Sequence, residues 1–233
     1  MLALTALEVR TVAARPPDPA LRGSGAAALA ALRADRPRLH DGRLLVLDEL
    51  RDGVLTVREG GYFDHVAIGL AVAAEPAARE LATRLAGGDP LRSGRGRSAG
   101  IGVSVTCVVE GGRWHVAPSG MLETAPRLPL HATAAREGFE ELGISAAPEA
   151  FRLLGVGWDL RRLTPEVALR LDLEADAGLA GRLAPDEFTE GRIWPLDDLA
   201  GFWAAHGPEE LTPPAAAAVA LLQASLAGEG RAG

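Results

Sequence analysis

At positions 136–144 the chain reads Arg136-Glu137-Gly138-Phe139-Glu140-Glu141-Leu142-Gly143-Ile144. Glu137, Glu140 and Glu141 are spaced i, i+3 and i+4, so they share one face of a predicted helix. Three neighbouring carboxylates repel one another unless a cation lies among them, and Mg²⁺ prefers carboxylate oxygens. Arg136 lies one helical turn before Glu140 and is expected to brace that side chain. Gly143 can end the helix because glycine adopts a positive φ without strain.

This stretch resembles the second half of the Nudix box. The box reads Gly, five residues, Glu, seven residues and then Arg-Glu-U-x-Glu-Glu-x-Gly-U, where U is a bulky aliphatic residue. The helical half is matched at Arg136, Glu137, Glu140, Glu141, Gly143 and Ile144, and Gly138 replaces one aliphatic residue. A solvated acidic face is the alternative explanation of the spacing, but the order of the residues favours the box.

The preceding segment fits the first half of the box more loosely. Pro118-Ser119-Gly120-Met121-Leu122-Glu123 is similar to the Pro-Gly-Gly-x-x-Glu opening of the family. The next glutamate of the pattern would fall at Pro126, and the segment before Arg136 is slightly longer than the pattern. We expect residues 117–123 to form a turn-rich loop that leads into the acidic helix.

The resemblance implies an α/β fold, in which a mixed sheet is sandwiched between helices and the box forms a loop–helix–loop at one end. It also implies a Mg²⁺ or Mn²⁺ site formed by Glu137, Glu140 and Glu141, with the backbone carbonyl of Gly120 as a further ligand. In such a site water attacks a diphosphate linkage while the metal neutralises phosphate charge. Glu137 would be a metal contact or a base.

Further residues follow from the same resemblance. Glu123 and Arg136 are assigned to the substrate-binding part of the site. Glu123 is expected to hold the outer metal shell through water, and Arg136 is expected to orient the glutamates. Nudix enzymes often place another acid in the loop before the last strand. Glu187 is the first choice and Asp186 the second, and an exposed loop acid is the alternative interpretation.

Arg92, Arg95 and Arg97 form the one concentrated basic stretch, among glycines at 91–98. The chain lacks the basic insertion that the family places between Val109 and Trp114. We therefore predict that Arg95 and Arg97 bind substrate phosphate, since guanidinium groups pair well with phosphate oxygens. A solvated linker is the alternative for this stretch.

Composition limits the class of protein. The chain has 233 residues, of which 48% are hydrophobic and 24% charged, and a net charge of −7. The negative charge argues against a nucleic-acid partner. The single cysteine, Cys107, excludes an intramolecular disulfide and is interpreted as a buried core thiol. No apolar run approaches the ~18 residues that span a bilayer, and no signal peptide is recognised.

We therefore expect a cytoplasmic protein that acts on a small phosphorylated substrate, without a membrane partner, and homodimerisation is left open. Residues 1–98 are assigned to an N-terminal α/β extension and residues 99–233 to a Nudix-like domain. The loop at 60–65 contains Tyr62 and Phe63, which either line a pocket or plug a core edge. Helices are predicted at 18–34, 75–86, 197–205 and 213–227, and strands at 43–47, 54–58, 101–109, 113–116, 151–160, 167–173 and 190–196. The strand at 167–173 alternates leucine with charged residues, which is typical of a half-exposed strand.

The sequence thus predicts a metal-dependent hydrolase that cleaves a diphosphate linkage in a nucleoside diphosphate derivative or similar small molecule. Two alternatives remain open. One is a Nudix-fold ligand-binding or regulatory module without hydrolysis. The other is a Nudix-type enzyme that acts on a non-nucleotide diphosphate, such as an isoprenoid diphosphate.

Overall fold

The computed structural model describes residues 1–4, 6–110, 112–123, 129–174, 194–207 and 210–229. Its helices are α1 (Pro19–Ser24), α2 (Ala26–Asp35), α3 (Tyr62–Ala74), α4 (Pro76–Leu85), α5 (Pro129–Leu142), α6 (Leu199–Ala205) and α7 (Pro213–Glu229). Its strands are β1 (Leu2–Ala3), β2 (Glu8–Thr11), β3 (Arg43–Arg51), β4 (Val54–Gly61), β5 (Gly102–Val109), β6 (Arg113–Met121), β7 (Phe151–Asp159), β8 (Thr164–Leu173) and β9 (Trp194–Pro195). None of the described helices is long and apolar enough to cross a membrane.

The larger sheet has the strand order β1-β7-β8-β5-β6-β9. Only the pair β5 and β8 is parallel, and the other neighbours are antiparallel. Apolar residues of α5 pack on one face of this sheet, and those of α7 pack on the other. The protein is therefore a mixed α/β protein, which confirms the predicted class. Helices cover both faces of the larger sheet.

The central strand β8 differs from the half-exposed strand that was predicted at 167–173. Arg170, on the face opposite Leu169 and Leu171, is only 8% exposed. The reason is α7, which covers this second face and forms a core with Ala168. The alternation of leucine with charged residues marks two buried faces here rather than a core face and a solvent face.

The smaller sheet has the order β2-β4-β3 and contains the predicted hairpin. Asp52 and Gly53 form its turn with φ of 50° and 76°, as the Asp-Gly pair predicts. Leu47 and Val57 of this hairpin share one hydrophobic core with Val103 of the larger sheet. The domain boundary at residue 98 stays a prediction, and this core contains residues from both sides of it.

Backbone hydrogen bonds join the two sheets directly. Leu47 N donates to Ala99 O over 2.8 Å, and Leu45 N donates to Leu122 O over 2.8 Å. Leu122 N in turn donates to Ile101 O over 2.7 Å. The ends of β5 and β6 are therefore held against β3, and this junction is where both candidate sites described below are found.

The N-terminal helices depart from their predictions. The helix predicted at 18–34 is divided at Gly25, which caps the end of α1 and the start of α2. Gly25 lies against the backbone of Ala67 in α3, where a Cβ would overlap it. The segment predicted as a loop at 60–65 instead begins α3, with Gly61 as its N-cap. This helix is buried on several sides and so lacks the apolar period of a surface helix.

Most of the segment predicted as a loop at 117–123 is instead strand, because β6 continues to Met121. Gly120 pairs with Val103, and Met121 with Gly102, in the antiparallel ladder to β5. The acidic helix itself is confirmed as α5, and Gly143 ends it with a φ of 63°. Cys107 is fully buried, as predicted. The predicted helices at 75–86, 197–205 and 213–227 correspond to α4, α6 and α7.

Two glycines near α3 give a matched pair of substitutions. Gly25→Ala should lower the free energy of unfolding by about 3 kcal/mol or more, because the overlap is with backbone that cannot turn away. Gly23→Ala should raise it by about 0.5–1 kcal/mol, because Gly23 lies in α1 with open space around it. Chemical denaturation of both variants measures the difference. Equal effects would contradict the close packing of Gly25 on α3.

Candidate metal site and an adjoining cavity

The three acids of α5 lie in different environments. Glu137 and Glu141 are each 7% exposed, whereas the Glu140 side chain is 54% exposed. Burial of two carboxylates on a helix is costly unless polar or cationic groups offset it. The acidic stretch is therefore more than a solvated helix face, which was the alternative interpretation of its spacing.

Glu137 lies directly on the backbone of Gly120. A Cβ at Gly120 would overlap the Glu137 carboxylate and its Cγ, so a larger residue at this position of β6 would displace the Glu137 side chain. Register with Val103 of β5 sets the direction in which Gly120 faces α5. The two segments that resemble the halves of the Nudix box are thus in contact, although 124–128 between them lie outside the described residues.

Arg136 links the acidic cluster. Its guanidinium lies 2.8 Å from Glu140 Oε2, 2.5 Å from Glu137 Oε1 and 3.5 Å from Glu123 Oε1. The predicted bracing of Glu140 is confirmed. Burial lowers the pKa of Arg136, but Glu137, Glu123 and Glu140 outweigh that effect, so its pKa is raised. One guanidinium for three carboxylates leaves this cluster with excess negative charge.

The donor chemistry fits a hard divalent cation, because the Glu137 carboxylate lies against the backbone of Gly120 and oxygen ligands are what such a cation prefers. Within the described ranges, however, no three acid, histidine or cysteine side chains converge in a group that could hold a metal. Glu123, Glu137 and Glu140 each have the Arg136 guanidinium as a cationic partner instead. Glu187 and Asp186 lie in 175–193, outside the described residues.

The structure corrects the prediction that Arg97, in the basic stretch at 91–98, binds substrate phosphate. Arg97 is 1% exposed and donates to the carbonyls of Leu163 (2.8 Å), Ser93 (2.9 Å) and Pro90. Burial lowers its pKa to about 10, so it remains charged at neutral pH. Arg97 therefore binds backbone rather than substrate phosphate, and it fixes the turn between β7 and β8. Arg95 is exposed, and its predicted contact with phosphate stays a prediction.

A cavity of about 600 Å³ opens at the same end of the larger sheet, on the face opposite α5. Gly100, Gly102 and Met121 form part of its wall, and α3 contributes His65. The turn between β7 and β8 and the start of α7 complete it. Met121 directly follows Gly120, so the cavity and the acidic cluster lie on opposite sides of one short piece of β6.

Glu166 of β8 is the buried acid of this cavity. It is 7% exposed, and a Cβ at Gly102 would overlap its carboxyl group. Burial, with a smaller effect of the nearby Asp159 carboxylate, raises its pKa from 4.5 to about 8. Burial and the positive charge of Arg162 lower the pKa of His65 to about 4. Both groups are therefore mainly neutral at pH 7.

Sequence reasoning missed Glu166 and His65. The available signal was an acid directly before the apolar run at 167–169, in a strand that parallel pairing buries on both faces. His65 carried no such signal, because its role depends on the unrecognised α3. Its Nδ1 accepts a hydrogen bond from the Gly100 amide over 3.0 Å.

No protein-family model matches this chain, and no curated protein matches it at a significant level.

Substitutions at Arg97 and Arg95 form a second matched pair. Arg97→Met should lower the free energy of unfolding by about 3 kcal/mol or more, because buried carbonyls lose a charged donor. Arg95→Met should change it by less than about 0.5 kcal/mol, since Arg95 is exposed. Urea denaturation checks both. A small effect of Arg97→Met would show that the guanidinium is dispensable for the β7–β8 turn.

Glu166 should make stability depend on pH. Between pH 4.5 and about 8 the folded protein holds the Glu166 proton and the unfolded chain does not, so stability falls as pH rises through this range. Glu166→Gln removes this dependence. The unfolding free energy of this variant, relative to that of the unmodified protein, should be larger at pH 8 than at pH 5. The difference should be about 2 kcal/mol or more, since one pKa unit is about 1.4 kcal/mol.

Glu174→Gln is the control for this measurement, because Glu174 is an exposed acid just after β8. Its unfolding free energy should follow that of the unmodified protein at both pH values. If Glu166→Gln behaved in the same way as the control, Glu166 would have to be ionised in the folded protein.

Proposed function

We propose that the chain is a Mg²⁺- or Mn²⁺-dependent hydrolase of the Nudix type. Its larger sheet, covered by helices on both faces, would then be the Nudix-like mixed sheet. The reaction is cleavage of a diphosphate linkage in a nucleoside diphosphate derivative or a similar small molecule. The observation that carries the proposal is the contact of the Glu137 carboxylate with Gly120.

The roles of the residues follow from this contact and from their charges. Glu137, Glu140, Glu141 and the backbone carbonyl of Gly120 supply the oxygen ligands, and Glu187 is a further predicted ligand. The bound cation supplies neutralisation of phosphate charge and a lowered pKa for the attacking water. Arg136 orients Glu137 and Glu140 through the ion pairs described above. Glu123, which lies near the same guanidinium, interacts with the outer shell through water.

A second candidate is a Nudix-fold module that binds a ligand without hydrolysing it. The observation in its favour is Arg136, whose guanidinium already gives Glu123, Glu137 and Glu140 a cationic partner. A third is hydrolysis of a non-nucleotide diphosphate, for which a screen must contain isoprenoid diphosphates. All three candidates predict a bound phosphorylated compound, and only the second predicts no released product.

The test is a screen of nucleoside diphosphate derivatives and isoprenoid diphosphates with Mg²⁺, in which released phosphate and monophosphates are measured. Glu140→Gln should reduce turnover of the active compound by more than about 100-fold, because a metal contributes several kcal/mol to the transition state. Its unfolding free energy should change by less than about 1 kcal/mol, since Glu140 is exposed and its ion pair is a surface one.

Glu149→Gln is the matched control, because Glu149 is an exposed acid shortly after α5 and outside the cluster. It should retain full activity. If Glu140→Gln also retained full Mg²⁺-dependent activity, the assignment of α5 as the metal-binding helix would be wrong. If no compound in the screen were cleaved but some bound, the module without hydrolysis would replace the enzyme.

A further inference from the structure

The cavity on the opposite face of the sheet from α5 has a cationic mouth. Arg161 and Arg162 lie there, in the turn between β7 and β8, and both are exposed. Asp159 Oδ1 accepts hydrogen bonds from their two backbone amides over 2.8 and 3.3 Å. No carboxylate among the described residues forms an ion pair with either guanidinium. Two guanidinium groups are thus held near the entrance by a turn with a fixed backbone.

Other parts of the protein hold this turn in place. Arg97 donates to Leu163 O, and Arg79 of α4 donates to Leu160 O over 2.9 Å. The Leu163 side chain is 5% exposed and packs among α1, α3 and α4. The mouth of the cavity is therefore a rigid feature that the N-terminal region supports.

The start of α7 adds a favourable dipole but few donors. Pro213 and Pro214 have no backbone N–H, and the amide of Ala215 donates to Thr212 Oγ1 over 3.4 Å. An anion at this end would gain from the helix dipole. Its hydrogen bonds would have to come from Arg161 and Arg162.

The floor of the cavity contains a buried acid, one oxygen of which lacks a hydrogen-bond partner among the described residues. Glu166 is 7% exposed, and its Oε2 accepts or donates no hydrogen bond within the described structure. A neutral carboxyl has one O–H donor to offer, whereas an ionised one would repel an anion. Glu166 lines this cavity of about 600 Å³, and a ligand that reached its carboxyl group would offer the orphaned oxygen a partner.

We propose that this cavity binds a small phosphomonoester. The phosphate pairs with Arg161 and Arg162 at the mouth, and the body of the molecule forms a hydrogen bond with the Glu166 carboxyl group on the floor. A phosphomonoester carries close to two charges at pH 7 and three terminal oxygens, which two guanidinium groups can match. The site is separate from the acidic cluster of α5, so it does not depend on the proposed hydrolysis.

Binding should depend on pH through Glu166. The titratable or charged groups that line the cavity are Glu166, Asp159, His65, Arg161 and Arg162. Of these, Glu166 is the one with a pKa of about 8, whereas that of His65 is about 4. Affinity should therefore be constant near pH 7 and fall above pH 8, as Glu166 ionises.

The test is calorimetric titration of the full chain with ribose 5-phosphate, glycerol 3-phosphate and AMP at pH 7, without divalent metal. At least one should bind, and Arg161→Ala with Arg162→Ala should weaken it by at least about tenfold. Arg38→Ala, at an exposed arginine outside the cavity, and Glu140→Gln should leave the affinity unchanged. Glu166→Gln should retain binding through its amide donor and remove the loss above pH 8.

Several results would overturn the proposal. These are no binding of any of the three compounds, an unchanged affinity in the double arginine variant, or equal binding of malonate, which would show that phosphate is not preferred. Loss of binding in Glu140→Gln would place the phosphomonoester at the acidic cluster instead. Thermal unfolding of each variant checks that the exposed substitutions leave the fold intact.

Discussion

The junction between the two sheets is the constraint on which the rest of the structure depends. Leu45 and Leu47 of β3 donate backbone hydrogen bonds to Leu122 and Ala99, and Leu122 donates to Ile101. These bonds fix the ends of β5 and β6 against the N-terminal sheet and bury them in one core. Because unpaired buried backbone groups are costly, this end of the sheet cannot shift without breaking several bonds together.

Glycines at this junction allow side chains to lie directly on the backbone. Gly120 receives the Glu137 carboxylate on the face toward α5, and Gly102 receives the Glu166 carboxyl on the other face. Gly100 is covered by Met121 and His65. Any larger residue at these three positions would push its neighbour away, so both candidate sites depend on close approach to glycine.

The predictable part of the structure is the part that local patterns determine. The Asp52-Gly53 turn and the end of α5 at Gly143 follow from glycine conformations, and the structure has both. The break at Gly25 and the start of α3 at Tyr62 depend on contacts between distant segments. Burial of Arg97 could not be predicted either, because its carbonyl partners include Leu163, far away in the chain. The candidate metal residues were predictable from their order, whereas the cavity required the tertiary fold.

Environment, rather than residue type, separates the chemistry of the two sites. Glu137 and Glu140 lie beside the guanidinium of Arg136, so the acidic cluster of α5 is built around a cationic group. Burial, with a smaller effect of the Asp159 carboxylate, raises the pKa of Glu166 and favours its neutral form. The proposed metal therefore belongs to the acidic cluster of α5, and the proposed phosphomonoester belongs to the cavity with Glu166, Arg161 and Arg162. One short piece of β6, Gly120-Met121, thus separates the proposed cation site from the proposed anion site, because its two residues face opposite sides of the sheet.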